Sequence, residues 1–157
     1  APARDLLHEG SEKVLFTTPV EHLATRDVLT LPTDASAMDA ARVMSAHRVG
    51  AVAVVDGAGH PVGIVTTTDL RDRVLVASRD PAVPVGEIMS APLITVSPEQ
   101  SIEECMEIMT ERRIRHLPVM DDEELVGMVT IGDVVMHMIT QQRNHIEQLE
   151  GYITGRY

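Results

Sequence analysis

Two short segments of the sequence carry polar side chains that could cap a helix or bind a ligand. Gly63–Asp69 and Gly127–Asp133 share the pattern Gly-hydrophobic-hydrophobic-Thr-x-x-Asp. At a strand-to-helix junction, a Thr hydroxyl and a carboxylate three residues later satisfy free N–H groups of the first helical turn. The same groups can also bind a ligand, and the two roles can coexist. One copy would be a weak signal, and the recurrence is what singles out Asp69 and Asp133.

The two segments belong to a longer internal repeat. Val20–Asp56 aligns with Val85–Asp121 at a constant offset of 65, and the Thr-x-x-Asp segments align at an offset of 64. Such self-similarity indicates one structural unit that occurs twice. We therefore predict an N-terminal arm, two repeats that form one module, and a C-terminal helix extension with a tail, at residues 1–19, 20–80, 81–140 and 141–157. The arm is expected to be partly helical.

Each repeat is predicted to fold in the order β-α-β-β-α, an α+β class with small mixed sheets and helices on one face. Ser36 and Ser101 each begin a capping box, so a helix should start at the same place in both copies. A second helix opens near Asp69 and Asp133, and the last helix is predicted to end before Gly151. The predicted strands are Val28–Leu31, Ala51–Val55 and Pro61–Thr66, then Leu93–Val96, Leu117–Met120 and Leu125–Thr130.

The first helix of each repeat has apolar residues at i, i+3, i+4 and i+7, which predicts a buried stripe. The stripe consists of Ala37, Ala40, Ala41 and Met44 in the first copy and Ile102, Cys105, Met106 and Met109 in the second. Because Cys105 lies on this stripe, it is predicted to be a core residue rather than a reactive thiol.

Composition narrows the functional class. The chain has 157 residues, 44% of them hydrophobic, which is enough for one compact domain with a real core. A formal net charge of −11 repels nucleic-acid polymers and anionic membranes, and 2% aromatic content leaves few rings for stacking on bases. No apolar run has the length of a membrane span, and no signal peptide is evident. The single cysteine is compatible with a reducing compartment, so we expect a cytoplasmic protein.

The remaining constellations favour a protein without catalytic or metal-binding residues. The seven histidines show no i, i+4 pairing with each other and no cysteine partner, which argues against zinc. Acidic clusters at 103–111 and 121–124 are explained by a solvated helix face and a turn. The sequence contains no nucleophile elbow and no phosphate loop of the Walker or Rossmann type.

The doubled pattern resembles that of the cystathionine-β-synthase (CBS) domain pair. Besides Gly63–Asp69 and Gly127–Asp133, the resemblance is carried by Arg113–Val119, by Val85–Met89, and by an ending, 146–155, similar to that of short stand-alone bacterial and organellar CBS-pair proteins. It covers about residues 20–155. Relatives often have a Tyr and a Lys in the stretch that reads Thr-Thr-Thr-Asp-Leu-Arg-Asp-Arg in this chain.

The resemblance implies that the two motifs pack about a pseudo-twofold axis and leave two clefts for adenosine-containing ligands such as AMP, ATP, NAD(H) or S-adenosylmethionine. Asp69 or Asp133 would accept hydrogen bonds from the ribose hydroxyls. Threonine hydroxyls and free N–H groups at a helix start suit a phosphate. Since the first copy lacks the family's Tyr, a mononucleotide is favoured over a dinucleotide.

Carried over residue by residue, the resemblance predicts two unequal clefts. One would combine Thr30, Val49, Gly50 and Ala51 with Thr130 and Asp133. The other would combine Thr95, Arg115, His116 and Pro118 with Thr66, Thr68, Asp69 and the additional cation Arg73. His116 could equally be a strand-end residue with ordinary hydrogen bonds.

The resemblance therefore implies a regulatory module that is not an enzyme, requires no cofactor, and senses an adenine nucleotide. Its output would pass to an unidentified partner protein or through a homodimer of two stacked pairs. The alternative is a structural interaction scaffold whose clefts are empty. Nucleotide hydrolysis is a third hypothesis, which no residue constellation supports.

Overall fold

The structure, a computed structural model, describes residues 18–22, 24 and 27–154, with the backbone alone for 151–154. The predicted arm therefore lies, except at its end, outside the described residues. A short 3-10 helix, Val20–His22, precedes the first repeat. The strands are β1 (Thr30–Pro32), β2 (Ala51–Val55), β3 (Pro61–Thr66), β4 (His116–Asp121) and β5 (Glu124–Thr130). The helices are α1 (Ala37–His47), α2 (Thr67–Leu70), α3 (Val85–Ile88), α4 (Ile102–Arg112) and α5 (Ile131–Thr154), and a π-helical turn, Arg71–Leu75, continues α2.

The chain divides into two compact units. The first unit consists of the described residues from 27 to 95 and of Met120–Gly127. Its sheet has the order β1-β2-β3, with β1 parallel and β3 antiparallel to β2. Strand β2 is buried almost throughout, as expected for a central strand between two neighbours. The core contains Ala37, Ala40, Met44, Val52, Val54, Val65, Val74, Val85 and Ile88.

The second unit consists of the described residues up to 24, Val96–Val119 and the residues from Met128 onward. Strands β4 and β5 form a two-stranded sheet. The strand predicted at Leu93–Val96 is wrong, because only an isolated parallel bridge between Val96 and Val119 is present. In the first unit, Ala53 N–H donates to the Leu29 carbonyl. The repeat-equivalent of Ala53 is Pro118, which has no N–H, so the corresponding hydrogen bond cannot form.

Each unit contains the first helix of one repeat together with the short segment that precedes the other repeat in the sequence. We call residues 18–21 and 83–86 the lead segments. Pro19 bridges to Ser101, and Pro84 bridges to Ser36. The same two backbone hydrogen bonds form in both units. At the start of α4, Val20 N–H donates to Gln100 O at 2.8 Å and Ile102 N–H donates to Thr18 O at 3.1 Å. At the start of α1, Val85 N–H donates to Ala35 O at 2.7 Å and Ala37 N–H donates to Val83 O at 2.8 Å. The lead segment of each repeat thus completes the helix start of the other repeat.

Helices α1 and α4 confirm the predicted helix starts. Ser36 and Asp39 form a complete capping box. In the second copy only half of the box forms: Ser101 accepts from the N–H of Glu104, whose carboxylate accepts from the Gln100 amide instead.

The predicted stripes are buried apart from Ala41 and Met106, which are half-buried. Cys105 is fully buried, as predicted. Burial, with the nearby charge of Glu104, raises the pKa of its thiol to about 11. The thiol is therefore protonated and unreactive at neutral pH.

Helix α5 does not end before Gly151 as predicted but continues to Thr154. A glycine inside a helix costs about 1 kcal/mol relative to alanine, which does not stop a helix that is already long. Among the helices that the structure describes, none has the length and apolar composition needed to cross a bilayer.

Both α1 and α4 end at an arginine in the left-handed conformation, Arg48 at φ 54° and Arg113 at φ 54°. A Cβ makes this conformation unfavourable, whereas glycine adopts it freely. We therefore expect Arg48→Gly and Arg113→Gly each to raise the free energy of unfolding by about 0.5–1 kcal/mol. Urea denaturation followed by circular dichroism measures this. Arg42→Gly, inside α1, is the control and should lower stability by about 1 kcal/mol. A loss of stability in all three variants would contradict the strain argument.

Candidate ligand-binding site

The first Thr-x-x-Asp segment forms a junction between β3 and α2 whose carboxylate is fully engaged. Asp69 is only 5% exposed. One of its oxygens, Oδ2, accepts from the Thr66 N–H at 2.9 Å and from the Thr66 hydroxyl at 3.2 Å, and the Thr66 hydroxyl accepts from the Asp69 N–H. The other oxygen, Oδ1, accepts from the Ser90 hydroxyl at 3.0 Å. A buried carboxylate requires such partners, since an unpaired charge is costly in the interior.

Arg73, predicted as a phosphate-binding cation, is held by the same junction. Its Nε lies 3.7 Å from Asp69 Oδ1, and its Nη1 donates to the backbone carbonyls of Ile88 and Met89 at 3.2 and 2.8 Å. These contacts attach residues 88–90 to the junction. Gly63 allows the close approach, because a Cβ there would meet Met89 Sδ at 2.5 Å. The arginine thus has a structural position rather than a free guanidinium.

The second Thr-x-x-Asp segment forms the equivalent junction between β5 and α5, but its carboxylate is half free. Asp133 Oδ2 accepts from the Thr130 N–H at 3.0 Å, and Thr130 Oγ1 accepts from the Asp133 N–H at 3.1 Å. Within the described part of the chain, no group donates to Asp133 Oδ1. The residue is half-buried, so this oxygen is an acceptor in a partly dehydrated position. Capping leaves it available for a ligand.

Two basic residues lie beside the second junction. The Arg115 carbonyl accepts from the Ile131 N–H at 2.9 Å, which brings Arg115 and His116 to the start of α5. The Arg115 side chain is exposed and forms no ion pair with any residue that the structure describes. Burial lowers the pKa of His116; the Arg115 charge lowers it further, whereas Asp133 raises it. His116 is therefore neutral at pH 7, and Arg115 is the cation of this junction.

The other predicted site residues are distributed over both units. Gly50 belongs to the first junction, where its carbonyl accepts from the Thr67 N–H. Ala51 and Pro118 are buried and their side chains are not accessible, whereas Thr30, Val49, Thr68 and Thr95 are exposed. The grouping of these residues into clefts remains a prediction. Ser90 was missed by the sequence reasoning, because nothing in the sequence links it to Asp69.

The family model for the CBS domain matches this chain twice, at residues 20–76 and 85–140. The chain belongs to the CBS-domain family. Because the two matches coincide with the internal repeat and its two Thr-x-x-Asp junctions, the tandem CBS pair is confirmed. Among the described residues, no three potential metal ligands come together.

Three proteins are similar to this chain in sequence or in structure. The mitochondrial CBS domain-containing protein CBSX3 of Arabidopsis thaliana is 39% identical over 80% of this chain, and the match spans 63% of CBSX3. A putative signal-transduction protein with CBS domains from Burkholderia ambifaria has a solved structure with a TM-score of 0.76 and 39% identity, covering 80% of this chain and 96% of that one. The CBS pair of MJ0100, solved with 5′-methylthioadenosine and S-adenosyl-L-methionine, has a TM-score of 0.71 and 27% identity, covering 76% and 94%. The predicted fold class is thereby confirmed.

The unequal use of the two carboxylates predicts unequal losses of stability. Asp133→Ala removes only a cap and should cost about 0.5–2 kcal/mol. Asp69→Ala also removes the acceptor of the half-buried Ser90 hydroxyl and the carboxylate near the half-exposed Arg73, which should add about 0.5–1.5 kcal/mol. Urea denaturation of both variants without ligand measures the difference. Ser90→Ala serves as a control for one contact, and equal losses for the two aspartates would contradict the assignment.

The lowered pKa of His116 predicts a pH dependence of stability. The unfolded imidazole binds a proton near pH 6.5 and the folded one only at lower pH, so stability should fall as the pH drops from about 7 to 5. One proton contributes at most about 1.4 kcal/mol per pH unit to this slope, and His116→Gln should reduce the slope by part of that amount. Denaturation midpoints at pH 7, 6 and 5 test it, with His60→Gln, at an exposed turn, as the control. An unchanged slope in His116→Gln would refute the prediction.

Proposed function

We propose that this CBS pair is a sensor that binds an adenosyl ligand, with an adenine mononucleotide such as AMP or ATP as the favoured class, and signals to a partner protein. The observation that carries the proposal is the carboxylate oxygen of Asp133 that accepts from no described residue, at a junction to which the backbone of Arg115 is hydrogen-bonded. A regulatory CBS pair acts by binding a ligand. Asp133 supplies a hydrogen-bond acceptor for that ligand, and Arg115 supplies a positive charge.

The state of the two carboxylates supports Asp133 as the ribose contact. A ribose offers two hydroxyl donors, and a carboxylate oxygen that has no other donor can accept from them. At Asp69 both oxygens already accept hydrogen bonds, so a ribose would have to displace the Ser90 hydroxyl or Arg73. Of the two unequal clefts predicted from the sequence, the one that uses Asp133 is therefore expected to bind more tightly. The proposal adds Arg115 to it, a residue that the sequence assigned to the cleft of Asp69.

The charge at the phosphate end is expected to come from Arg115. Arg73 is engaged with two backbone carbonyls, and His116 is uncharged at neutral pH. A guanidinium pairs with phosphate oxygens through parallel N–H donors and remains charged throughout the physiological range. The proposal thus replaces the three-residue cationic cluster predicted from the sequence with a single arginine.

The similarity to MJ0100, whose CBS pair was solved with two adenosyl compounds, supports the ligand class and leaves AMP, ATP, NAD(H) and S-adenosylmethionine to be distinguished. Because the chain spans less than two thirds of CBSX3, the signalling partner is part of the proposal. A cytoplasmic location remains a prediction from cysteine usage, while the name of that relative places it in mitochondria.

The ribose assignment predicts a selective loss of affinity. A ligand at 100 times its dissociation constant should stabilise the wild-type protein by about 2.7 kcal/mol. Asp133→Ala should weaken binding about 10- to 100-fold, because charge-assisted hydrogen bonds to the ribose are lost. Isothermal titration calorimetry with AMP, ATP, NADH and S-adenosylmethionine measures the affinities, and Asp121→Ala, at the exposed end of β4, is the matched control. If Asp133→Ala binds every ligand like the wild type, the aspartate is only a cap.

The phosphate assignment predicts discrimination between AMP and adenosine. Arg115→Ala should weaken AMP binding about 10-fold or more while leaving adenosine nearly unchanged, since only AMP has the charge that arginine pairs with. Raising the salt concentration should reduce the difference between wild type and variant. Arg112→Ala, on the exposed side of α4, is the control. Equal weakening of both ligands would mean that Arg115 shapes the site rather than binding phosphate.

The alternative of a structural scaffold makes the opposite prediction. No thermal shift with any of the four ligands would favour it, and hydrolysis of a bound nucleotide would restore the enzymatic hypothesis. The exposed apolar surface of α5 is compatible with both the sensor and the scaffold, since either requires contact with another chain.

A further inference from the structure

One buried nitrogen on helix α5 has no hydrogen-bond partner. His137 is half-buried, and its Nε2 is shielded from solvent without bonding to any group in the described part of the chain. Leaving a buried donor or acceptor unpaired is costly, so such an atom in a native protein requires an explanation. The capping of α5 does not supply one, because it uses only Thr130 and Asp133.

His137 lies one helical turn beyond Asp133, on the same side of α5. The repeat-equivalent pair in the first unit is Asp69 and Arg73, at an offset of 64. There the arginine side chain turns toward the carboxylate, and its Nε lies 3.7 Å from Asp69 Oδ1. A side chain at this position can therefore approach Oδ1, which is the oxygen that in Asp133 accepts from no described residue.

The two unpaired atoms differ in what they can bind. A carboxylate oxygen such as Asp133 Oδ1 only accepts hydrogen bonds, whereas Nε2 of a neutral imidazole donates in one tautomer and accepts in the other. A hydroxyl both donates and accepts, so it can pair with either atom and with either tautomer. A zinc ion fits less well, because zinc sites contain at least three protein ligands and no three come together among the described residues. Two neighbouring hydroxyls would satisfy both atoms.

We propose that Asp133 and His137 bind the two adjacent hydroxyls of the ligand's ribose, one each. This inference rests on the proposed function and adds a residue that selects ribose over deoxyribose. Asp133 Oδ2 already accepts from the Thr130 N–H, so the carboxylate has one oxygen left for a hydroxyl. The other hydroxyl needs a partner of its own, and His137 Nε2 is an unpaired atom on the next turn of the same helix.

Binding requires the imidazole to rearrange. Nε2 is shielded while the residue as a whole is half-buried, so the ring must turn to present this atom to a hydroxyl. Rotamer changes of partly exposed side chains are fast compared with the motions of loops and domains. The hydrogen bond that forms replaces an unpaired buried atom, so the rearrangement favours the ligand-bound protein.

Calorimetry with AMP and its 2′-deoxy and 3′-deoxy forms tests the assignment. The wild type should bind AMP about 10-fold more tightly than either deoxy form, because each of them lacks one hydrogen bond. His137→Leu should weaken AMP about 10-fold and bind AMP and one deoxy form equally, while Asp133 still discriminates against the other. His145→Leu, on the exposed part of α5, is the control and should bind like the wild type.

Failure of this inference and failure of the proposed function give different results. If the wild type binds none of AMP, ATP, NADH and S-adenosylmethionine, the proposed function itself is wrong. If the wild type binds AMP and His137→Leu keeps the wild-type affinities for AMP and both deoxy forms, His137 does not contact the ribose. The role of Asp133 would then stand without it.

Two further measurements separate a binding role from a structural one. Because His137→Leu removes a buried polar atom that has no partner, its urea midpoint without ligand should equal or exceed that of the wild type. In the wild type, the nitrogen-15 NMR resonance of His137 Nε2 should shift when AMP is added and stay in place when inorganic phosphate is added. A lower midpoint for His137→Leu, or a resonance that AMP does not move, would overturn the proposal.

Discussion

The buried carboxylate of Asp69 is the constraint on which the first unit depends. A charge that is 5% exposed must be surrounded by donors, and these come from the end of β3, from Ser90 and from Arg73. Because Arg73 also donates to the carbonyls before Ser90, strand, helix and the segment that leads into the second repeat are joined at one point. A Cβ at position 63 would collide with Met89 and with the Ser90 carbonyl oxygen, so glycine is needed for this close approach.

The two junctions illustrate how a duplicated motif can divide its tasks. The capping geometry of Asp133 reproduces that of Asp69, so each helix start is stabilised in the same way. The two junctions differ at the Oδ1 oxygen. Asp69 Oδ1 accepts from the Ser90 hydroxyl, whereas Asp133 Oδ1 accepts from no described residue. A structural role and a binding role can then be distributed between copies whose backbone is equivalent. Regulation requires only one of them to remain accessible.

Much of the fold follows from local sequence signals, and the failures have identifiable causes. The helix starts at Ser36 and Ser101 were predictable, because capping depends on residues three positions apart. The weak first strand of the second repeat depends on Pro118, which lies on a different strand, so that its effect appears only once the pairing is known. The engagement of Asp69 likewise depends on Ser90, which is remote in sequence. Contacts of that kind have no local pattern from which to be inferred.

The crossed lead segments have an evolutionary consequence. A polypeptide with one repeat would lack the lead segment that completes its helix start in this structure, and its own lead segment would lack the partner that it has here. Two identical half-length chains could satisfy each other by reciprocal exchange. Joining them end to end would preserve every hydrogen bond of that exchange while removing its dependence on concentration.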